Sequence, residues 1–188
     1  MWAVIFAWQP LNFWVLITAG VGGLGAAAVW IRGPFPLSEG ARGSDVLLGA
    51  AASACLYAVF AAGRVAVGYV LPSAHSQIEA VYAVRSQAPP WVIVLLLVCV
   101  IAPGEEIFWR GLVQWGLVRR LGPMGGWVAA ALLYGFVHAA SANVMLVIAA
   151  TAAGAFWGGL YLRLGRIAPV VVSHIFWDLV VFLIAPLR

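Results

Sequence analysis

The chain has 188 residues, of which 65% are hydrophobic and 9% charged, and its mean hydropathy is +1.05. Soluble domains carry charge on about a quarter of their residues, and the shortage here extends over the whole length, so the composition excludes a soluble domain. The net charge of +4 comes from arginine alone, since the sequence contains no lysine. Arginines in the short loops of an apolar chain predict contact with lipid headgroups and no binding of nucleic acid.

Long apolar runs predict an all-α, polytopic membrane helix bundle, because the strands of a barrel would alternate apolar and polar residues. We expect about six transmembrane helices and treat residues 1–188 as a single integral membrane domain. Residues 72–89 have mixed polarity and suit a short amphipathic helix at the surface. The six apolar segments, in chain order, are 11–31, 46–71, 90–118, 125–140, 143–162 and 168–186.

Arginines concentrate in alternate loops, which predicts the orientation of the bundle. The loops near residues 32–45, 119–124 and 163–167 hold most of them, whereas the opposite side carries only Arg85 and Arg188. Because cytoplasmic loops are enriched in arginine, we expect a multi-pass protein of the cell membrane with these three loops in the cytoplasm. The aromatic belts of the two interfaces have as candidates Trp2, Trp8, Trp14 and Trp30.

The third apolar segment runs directly into three charged residues, Glu105, Glu106 and Arg110. A charge at the centre of a membrane helix costs roughly 2.5–3.5 kcal/mol, so these residues must meet one another or face a hydrated cavity. Glu106 and Arg110 are four residues apart, on one helix face, and we interpret them as a structural ion pair. Glu105 lies about 100° around the helix without a local partner, and a carboxylate in this position suits proton transfer.

Two later segments each carry a polar site. His138 follows Tyr134 by four residues, and His174 and Asp178 are also four apart on one face of the last helix. A carboxylate beside an imidazole can hold it in one tautomer. Taken singly, each site is better explained by a structural role, as a hydrogen-bonded interior histidine or as a polar clamp between helices, than by a catalytic one. Their joint presence in a chain with few other interior charges predicts a shared pocket.

With these motifs the sequence resembles the CAAX-protease and bacteriocin-processing (CPBP, or Abi) family of membrane proteins, relatives of the type II CAAX prenyl endopeptidases. The run EEIFWRGLVQ, which begins at Glu105, is similar to the family's Glu-Glu-x-x-x-Arg-Gly signature. YGFVH, residues 134–138, resembles its motif of an aromatic residue, three residues and His. HIFWD, residues 174–178, resembles its final motif. The resemblance covers roughly residues 90–182, which we take as the catalytic core.

The resemblance implies an intramembrane endopeptidase that acts on a membrane-associated or lipid-modified peptide and needs no cofactor. Glu105 and His138 would activate a water, His174 and Asp178 would lie on the oxyanion side, and Glu106 and Arg110 would support the site. Two residues depart from the pattern: Tyr134 replaces the commoner Phe, and Asp178 stands where the prenyl endopeptidases have Asn. Since an ionised Asp would repel an oxyanion, Asp178 is either protonated or accepts a bond from His174. We favour the second, which leaves that imidazole facing the substrate.

Two alternatives remain open at this stage. Two histidines and a carboxylate are an acceptable catalytic zinc set, so the same residues would serve a zinc-dependent metalloprotease, although the HExxH helix signature is absent from the sequence. A non-catalytic membrane scaffold or immunity protein would use the polar cluster for assembly. The pattern predicts neither the substrate sequence nor an oligomeric state.

Overall fold

The structure, a computed structural model, describes residues 1–33 and 42–187. Most of the first predicted cytoplasmic loop, 32–45, and Arg188 lie outside the described residues. The described chain is all-α and contains no strand, which confirms the predicted fold class. Its helices are α1 (Phe13–Arg32), α2 (Ser44–Val70), α3 (Ala74–Tyr82), α4 (residues 90–121), α5 (residues 123–137), α6 (Val144–Leu164) and α7 (Ala168–Leu179, continued to Ile184).

Four helical runs in the described residues are long and apolar enough to cross a membrane: Phe13–Arg32, Ser44–Val70, Pro90–Ser141 and Val144–Leu164. The shorter apolar helix is Ala168–Ile184. The run Pro90–Ser141 consists of α4 and α5, which meet at Gly122 with φ 74° and ψ 171°. Glycine adopts this conformation without a steric penalty, and Pro123 then takes a tolerated first-turn position of α5. The six predicted segments therefore correspond to six helices, and residues 72–89 hold α3.

The helices α4 and α5 fold back on one another from Gly122. A Cβ on Gly126 would overlap the backbone of Val118, so the two helices start in close contact. Further along, the ring of Tyr134 lies 5.1 Å from that of Trp109. The hairpin thus brings the end of α5 beside the middle of α4, where the charged motif lies.

The middle of α4 is irregular around Pro103. Proline has no N–H and its ring crowds the carbonyl four residues earlier, and the preceding turn, Leu97–Ile101, is widened to π-helical geometry. After one regular turn, Ala102–Glu106, a second wide stretch follows over Ile107–Gln114. Such insertions are frequent at functional sites, and this pair flanks the two glutamates.

Close helix contacts fix the position of this segment. A Cβ on Gly25 of α1 would lie 3.2 Å from the Cα of Gly104, and one on Gly104 would lie 2.9 Å from Val21 Cγ1. On the other side of the bundle, a Cβ on Gly49 of α2 would lie 2.5 Å from Val172 Cγ1 of α7. Small residues permit such approaches between membrane helices, and the residue that follows Gly104 is Glu105.

The arginine-bearing loops lie at one end of the bundle. Arg32, at the end of α1, donates to the carbonyl of Gly111, and its guanidinium lies 4.4 Å from the centroid of the Trp115 ring. Arg166, before α7, forms an ion pair with Asp45 at the start of α2. The predicted grouping of loops one, three and five at one end is therefore present, and their assignment to the cytoplasm stays a prediction.

The tryptophan candidates divide into two groups. Trp8 and Trp30 are 74% and 86% exposed. Trp14 is buried and donates its Nε1–H to the carbonyl of Val84 at 2.9 Å, and Trp2 stacks on Trp109. Trp2 and Trp14 therefore pack against other parts of the chain, whereas an interfacial position for the exposed Trp8 and Trp30 stays a prediction.

Candidate functional site

A cavity of about 530 Å³ lies inside the bundle. It receives Glu105 from α4, Tyr134 and His138 from the end of α5, and His174 and Asp178 from α7. Five polar side chains that are each costly alone in lipid thus share one space. Glu106 and Arg110 belong to the same sequence motif as Glu105, but they do not line the cavity.

Glu105 is 7% exposed, and its carboxylate has a hydrogen-bond donor that was not predicted from the sequence. The hydroxyl of Tyr134 donates to Glu105 Oε2 at 2.6 Å. The expectation that Glu105 lacks a partner holds only within its own helix. In the sequence, the one sign of this donor is that Tyr134 replaces the commoner Phe one helical turn before His138. The sequence does not show that the added hydroxyl reaches Glu105, because that depends on how α4 and α5 pack.

The hydrogen bond of His138 fixes its tautomer. Nδ1 lies 2.7 Å from the carbonyl oxygen of Tyr134, and because a carbonyl only accepts, Nδ1 carries the proton. Nε2 then holds a lone pair and forms no hydrogen bond with any described residue. Aromatic rings surround the imidazole, with centroids 5.1 Å away for Phe6, 5.2 Å for Tyr134 and 5.8 Å for Trp2. The ring is therefore held at the cavity wall with its Nδ1 protonated.

Glu106 is fully buried behind the cavity and forms the predicted pair with Arg110. Its Oε1 accepts from Arg110 Nη1 at 3.1 Å and from His174 Nδ1 at 2.7 Å. Arg110 Nη2 donates in turn to the carbonyl of Gly154 at 3.3 Å. One carboxylate thus joins α4 to α7, while the arginine joins α4 to α6.

His174 has a different hydrogen-bond partner from the one expected. Its Nε2 lies 3.6 Å from Asp178 Oδ2, which is too long for a hydrogen bond, whereas the bond to Glu106 is short. The i, i+4 spacing places Asp178 beside the ring, but α4 brings Glu106 into line with Nδ1. Trp157 stacks on the imidazole at 3.9 Å between centroids, so the ring plane is fixed from α6.

The zinc alternative requires a compact set of ligands. Within residues 1–33 and 42–187, no three His, Cys, Asp or Glu side chains lie together in a geometry that would hold a metal ion. The Nδ1 atoms of His138 and His174 are both engaged in hydrogen bonds. In this arrangement the described side chains do not fit a zinc site.

A large part of the cavity wall comes from the chain before residue 90. Trp14 and Ile17 of α1, Phe60 of α2 and Tyr82 of α3 all line it. None belongs to a motif, and an apolar residue on a membrane helix looks the same in sequence whether it faces lipid or a cavity. The motifs located the polar side chains but gave no information on this wall.

One family model, described as type II CAAX prenyl endopeptidase Rce1-like, matches residues 87–180. This match covers half of the chain, and the protein belongs to that family. Its general class is therefore that of the membrane-embedded CAAX-type endopeptidases, which are hydrolases. Comparison with curated proteins gives no match, and comparison with solved structures gives none either.

Proposed function

We propose that the protein is an intramembrane glutamic endopeptidase that hydrolyses a peptide bond in a membrane-associated or lipid-modified peptide. The observation that carries the proposal is the pairing of a cavity-lining carboxylate, Glu105, with His138, whose tautomer leaves Nε2 unprotonated. The proposed catalytic core is residues 90–182, and the helices before it complete the cavity.

Glu105 and His138 would activate the attacking water. Glu105 accepts one proton of the water, and His138 Nε2 accepts a hydrogen bond from the other. The water oxygen forms a bond to the scissile carbonyl carbon, and the carbonyl π electrons move to its oxygen. Tyr134 holds the Glu105 carboxylate through Oε2, so the other carboxylate oxygen is oriented for this transfer. When the intermediate collapses, the C–N bond breaks and Glu105 returns the proton to the leaving amine.

His174 would stabilise the oxyanion. Its Nδ1–H donates to Glu106. When the imidazole is doubly protonated, between Glu106 and Asp178, its Nε2–H can donate to the developing negative charge, as an oxyanion site requires. Asp178, 3.6 Å from that nitrogen, stabilises the protonated imidazole without occupying its donor. Glu106 and Arg110 support this arrangement from behind the cavity wall and touch no reacting atom.

The substrate would enter at the end of the bundle opposite the arginine-bearing loops. The cavity extends to Ile78 and Val81 of α3 and to Ser141 and Asn143 between α5 and α6. With those loops in the cytoplasm, the opening faces the other side of the membrane. We expect a membrane-impermeant maleimide added outside intact cells to label Ser141→Cys and not Arg120→Cys, in a background with Cys55 and Cys99 replaced by Ala. Labelling of Arg120→Cys alone would show that the protein has the opposite orientation in the membrane.

Quantitative proteomics of membrane peptides tests the activity. Cells that express the wild type should contain cleaved peptides that are missing with Glu105→Gln, at equal protein abundance. Glu79→Gln, an acid-to-amide change on α3 away from the cavity lining, is the matched control and should behave as wild type. A non-catalytic scaffold predicts identical peptide sets for all three proteins.

Chelation distinguishes the glutamic from the zinc mechanism. Purified protein treated exhaustively with a strong chelator should retain its proteolytic rate. Loss of activity on chelation, with recovery on addition of Zn²⁺, would favour the metalloprotease hypothesis.

A further inference from the structure

Arg64, on α2, contributes a guanidinium to the cavity that contains Glu105 and the two histidines. Among the described residues lining this cavity it is the sole Lys or Arg side chain. It also lines an adjoining hollow of about 310 Å³, together with Tyr69 and His75. The family match starts at residue 87, so neither the motifs nor the family assigns a role to Arg64.

Arg64 is exposed, and no hydrogen bond or ion pair joins its guanidinium to another described residue. The other arginines near the bundle interior differ in this respect: Arg110 is bound to Glu106, and Arg166 to Asp45. An arginine in an apolar helix that lines a cavity without a counter-ion is prepared to bind an anion there.

The position of Arg64 along α2 favours an anion carried into the cavity over a lipid headgroup. The helix continues for six residues beyond Arg64, to Val70, so the Arg64 backbone lies about 9 Å inside the helix end. A headgroup phosphate lies at the membrane surface. A peptide that occupies the cavity would carry its own carboxylate to the depth of the guanidinium.

The contact between α2 and α7 allows an estimate of how far along the bundle Arg64 lies from the proposed catalytic residues. Phe60 packs on Trp177 with ring centroids 4.6 Å apart, and Trp177 precedes Asp178. Arg64 is one turn after Phe60 on the same face of α2, about 6 Å further along the axis. An extended peptide advances about 3.3–3.6 Å per residue, so a carboxylate about two to four residues from the hydrolysed bond would come within reach of the arginine.

We propose that Arg64 is a specificity-determining subsite that binds a carboxylate of the peptide substrate a few residues from the scissile bond. This proposal rests on the proposed function, because the cavity must hold a peptide. The planar guanidinium matches a carboxylate through two parallel hydrogen bonds. That carboxylate is either the C-terminus of the peptide or an acidic side chain, and the experiment separates the two sources.

Binding is measured with the Glu105→Gln protein, so the readout does not depend on turnover. The probes are three fluorescently labelled short apolar peptides with a free C-terminal acid, a C-terminal amide, or a C-terminal amide plus one internal Asp. Replacing Arg64 by Gln in this protein should weaken binding of one carboxylate-bearing peptide by about tenfold to a hundredfold and leave the plain amide unchanged. Loss confined to the free acid identifies the C-terminus, and loss confined to the Asp peptide identifies a side chain.

Two matched variants complete the design. Arg64→Lys should retain part of the preference for the carboxylate, and Arg120→Gln, an exposed arginine at the far end of the bundle, should retain all of it. Equal affinities for the three peptides, including no binding at all, would overturn the proposal. So would an Arg64→Gln effect that appears only when phosphatidylcholine vesicles are replaced by vesicles containing phosphatidylglycerol, because that result assigns Arg64 to headgroups. A failed proteolysis test with intact carboxylate-dependent binding would remove the proposed function and leave the subsite.

Discussion

Glu105 and Glu106 are adjacent in the chain but lie in different environments. Glu105 lines a cavity and accepts one hydrogen bond, from the neutral hydroxyl of Tyr134. Glu106 is fully buried behind the wall and accepts from the guanidinium of Arg110 and the imidazole of His174. A rotation of about 100° about the helix axis separates a carboxylate that can meet water from one that joins α4 to α7.

The two environments suit different roles, one in the stability of the fold and the other in proton transfer. Charge-assisted bonds in a buried network stabilise the fold, and removal of one partner leaves the others uncompensated. A carboxylate with a single neutral donor contributes less to stability and keeps its capacity to exchange a proton. Substitutions at the two positions should therefore affect different measurements: the rate of proteolysis for Glu105 and the free energy of unfolding for Glu106.

Glu105→Gln should reduce kcat/KM by about 10²–10⁴-fold, because an amide cannot accept the proton of the attacking water. The free energy of unfolding should stay close to that of the wild type. The measurements are cleavage of a membrane peptide by purified protein and thermal unfolding in the same detergent. Wild-type kinetics in this variant would show that Glu105 is not the general base.

Glu106→Gln should lower the free energy of unfolding by about 3–5 kcal/mol, because it leaves Arg110 and His174 without their shared carboxylate. Denaturant titration in mixed micelles, with Glu79→Gln as the solvent-side control, measures the loss. If stability is unchanged while activity disappears, Glu106 takes part in the chemistry and the contrast between the two glutamates fails.

Tyr134→Phe removes the one donor to the Glu105 side chain among the described residues and keeps the ring against Trp109. A hydrogen bond to a charged group contributes about 1.5–3 kcal/mol, so we expect kcat/KM to fall by about tenfold to a hundredfold with little change in unfolding. Tyr161→Phe, which removes a hydroxyl outside the cavity lining, is the matched control. Equal effects of the two substitutions would show that the hydroxyl of Tyr134 has no special role.

Gln114→Met should have the smallest effect. Gln114 is buried one turn after Arg110, and its Nε2 donates to the carbonyl of Gly158 at 2.8 Å. The loss should cost about 0.5–1.5 kcal/mol of stability, while the rate per folded molecule stays the same. A loss of proteolytic rate without a loss of stability would show that Gln114 takes part in catalysis, although it does not line the cavity.

The sequence predicted the helices and one of the polar contacts. Hydropathy predicted the six long helices, because an apolar run about 20 residues long has few alternatives to a membrane helix. Gly122 and Pro123, at the division between α4 and α5, lie in the loop predicted near residues 119–124. The Glu106–Arg110 pair followed from their spacing alone, since residues four apart share a helix face.

The remaining contacts of the site depend on how helices meet, which spacing does not specify. His174 was expected to bond to Asp178, its neighbour on the same helix, but Glu106 reaches it from α4 at a shorter distance. The same limit applies to the Tyr134 hydroxyl. It applies also to Trp14 and Phe60, whose positions in the cavity wall depend on tertiary packing.

The fold-back at Gly122 has a consequence for the order in which the molecule is assembled. It joins Glu105 to Tyr134, 29 residues apart, within a single helical hairpin, and contacts so local form at a small entropic cost. The bond between Glu106 and His174 spans 68 residues and closes only after α7 has entered the bilayer. Biogenesis should therefore pass through an intermediate in which the proposed base is already positioned while its oxyanion partner is still absent, and proteolysis cannot begin until the last helix docks.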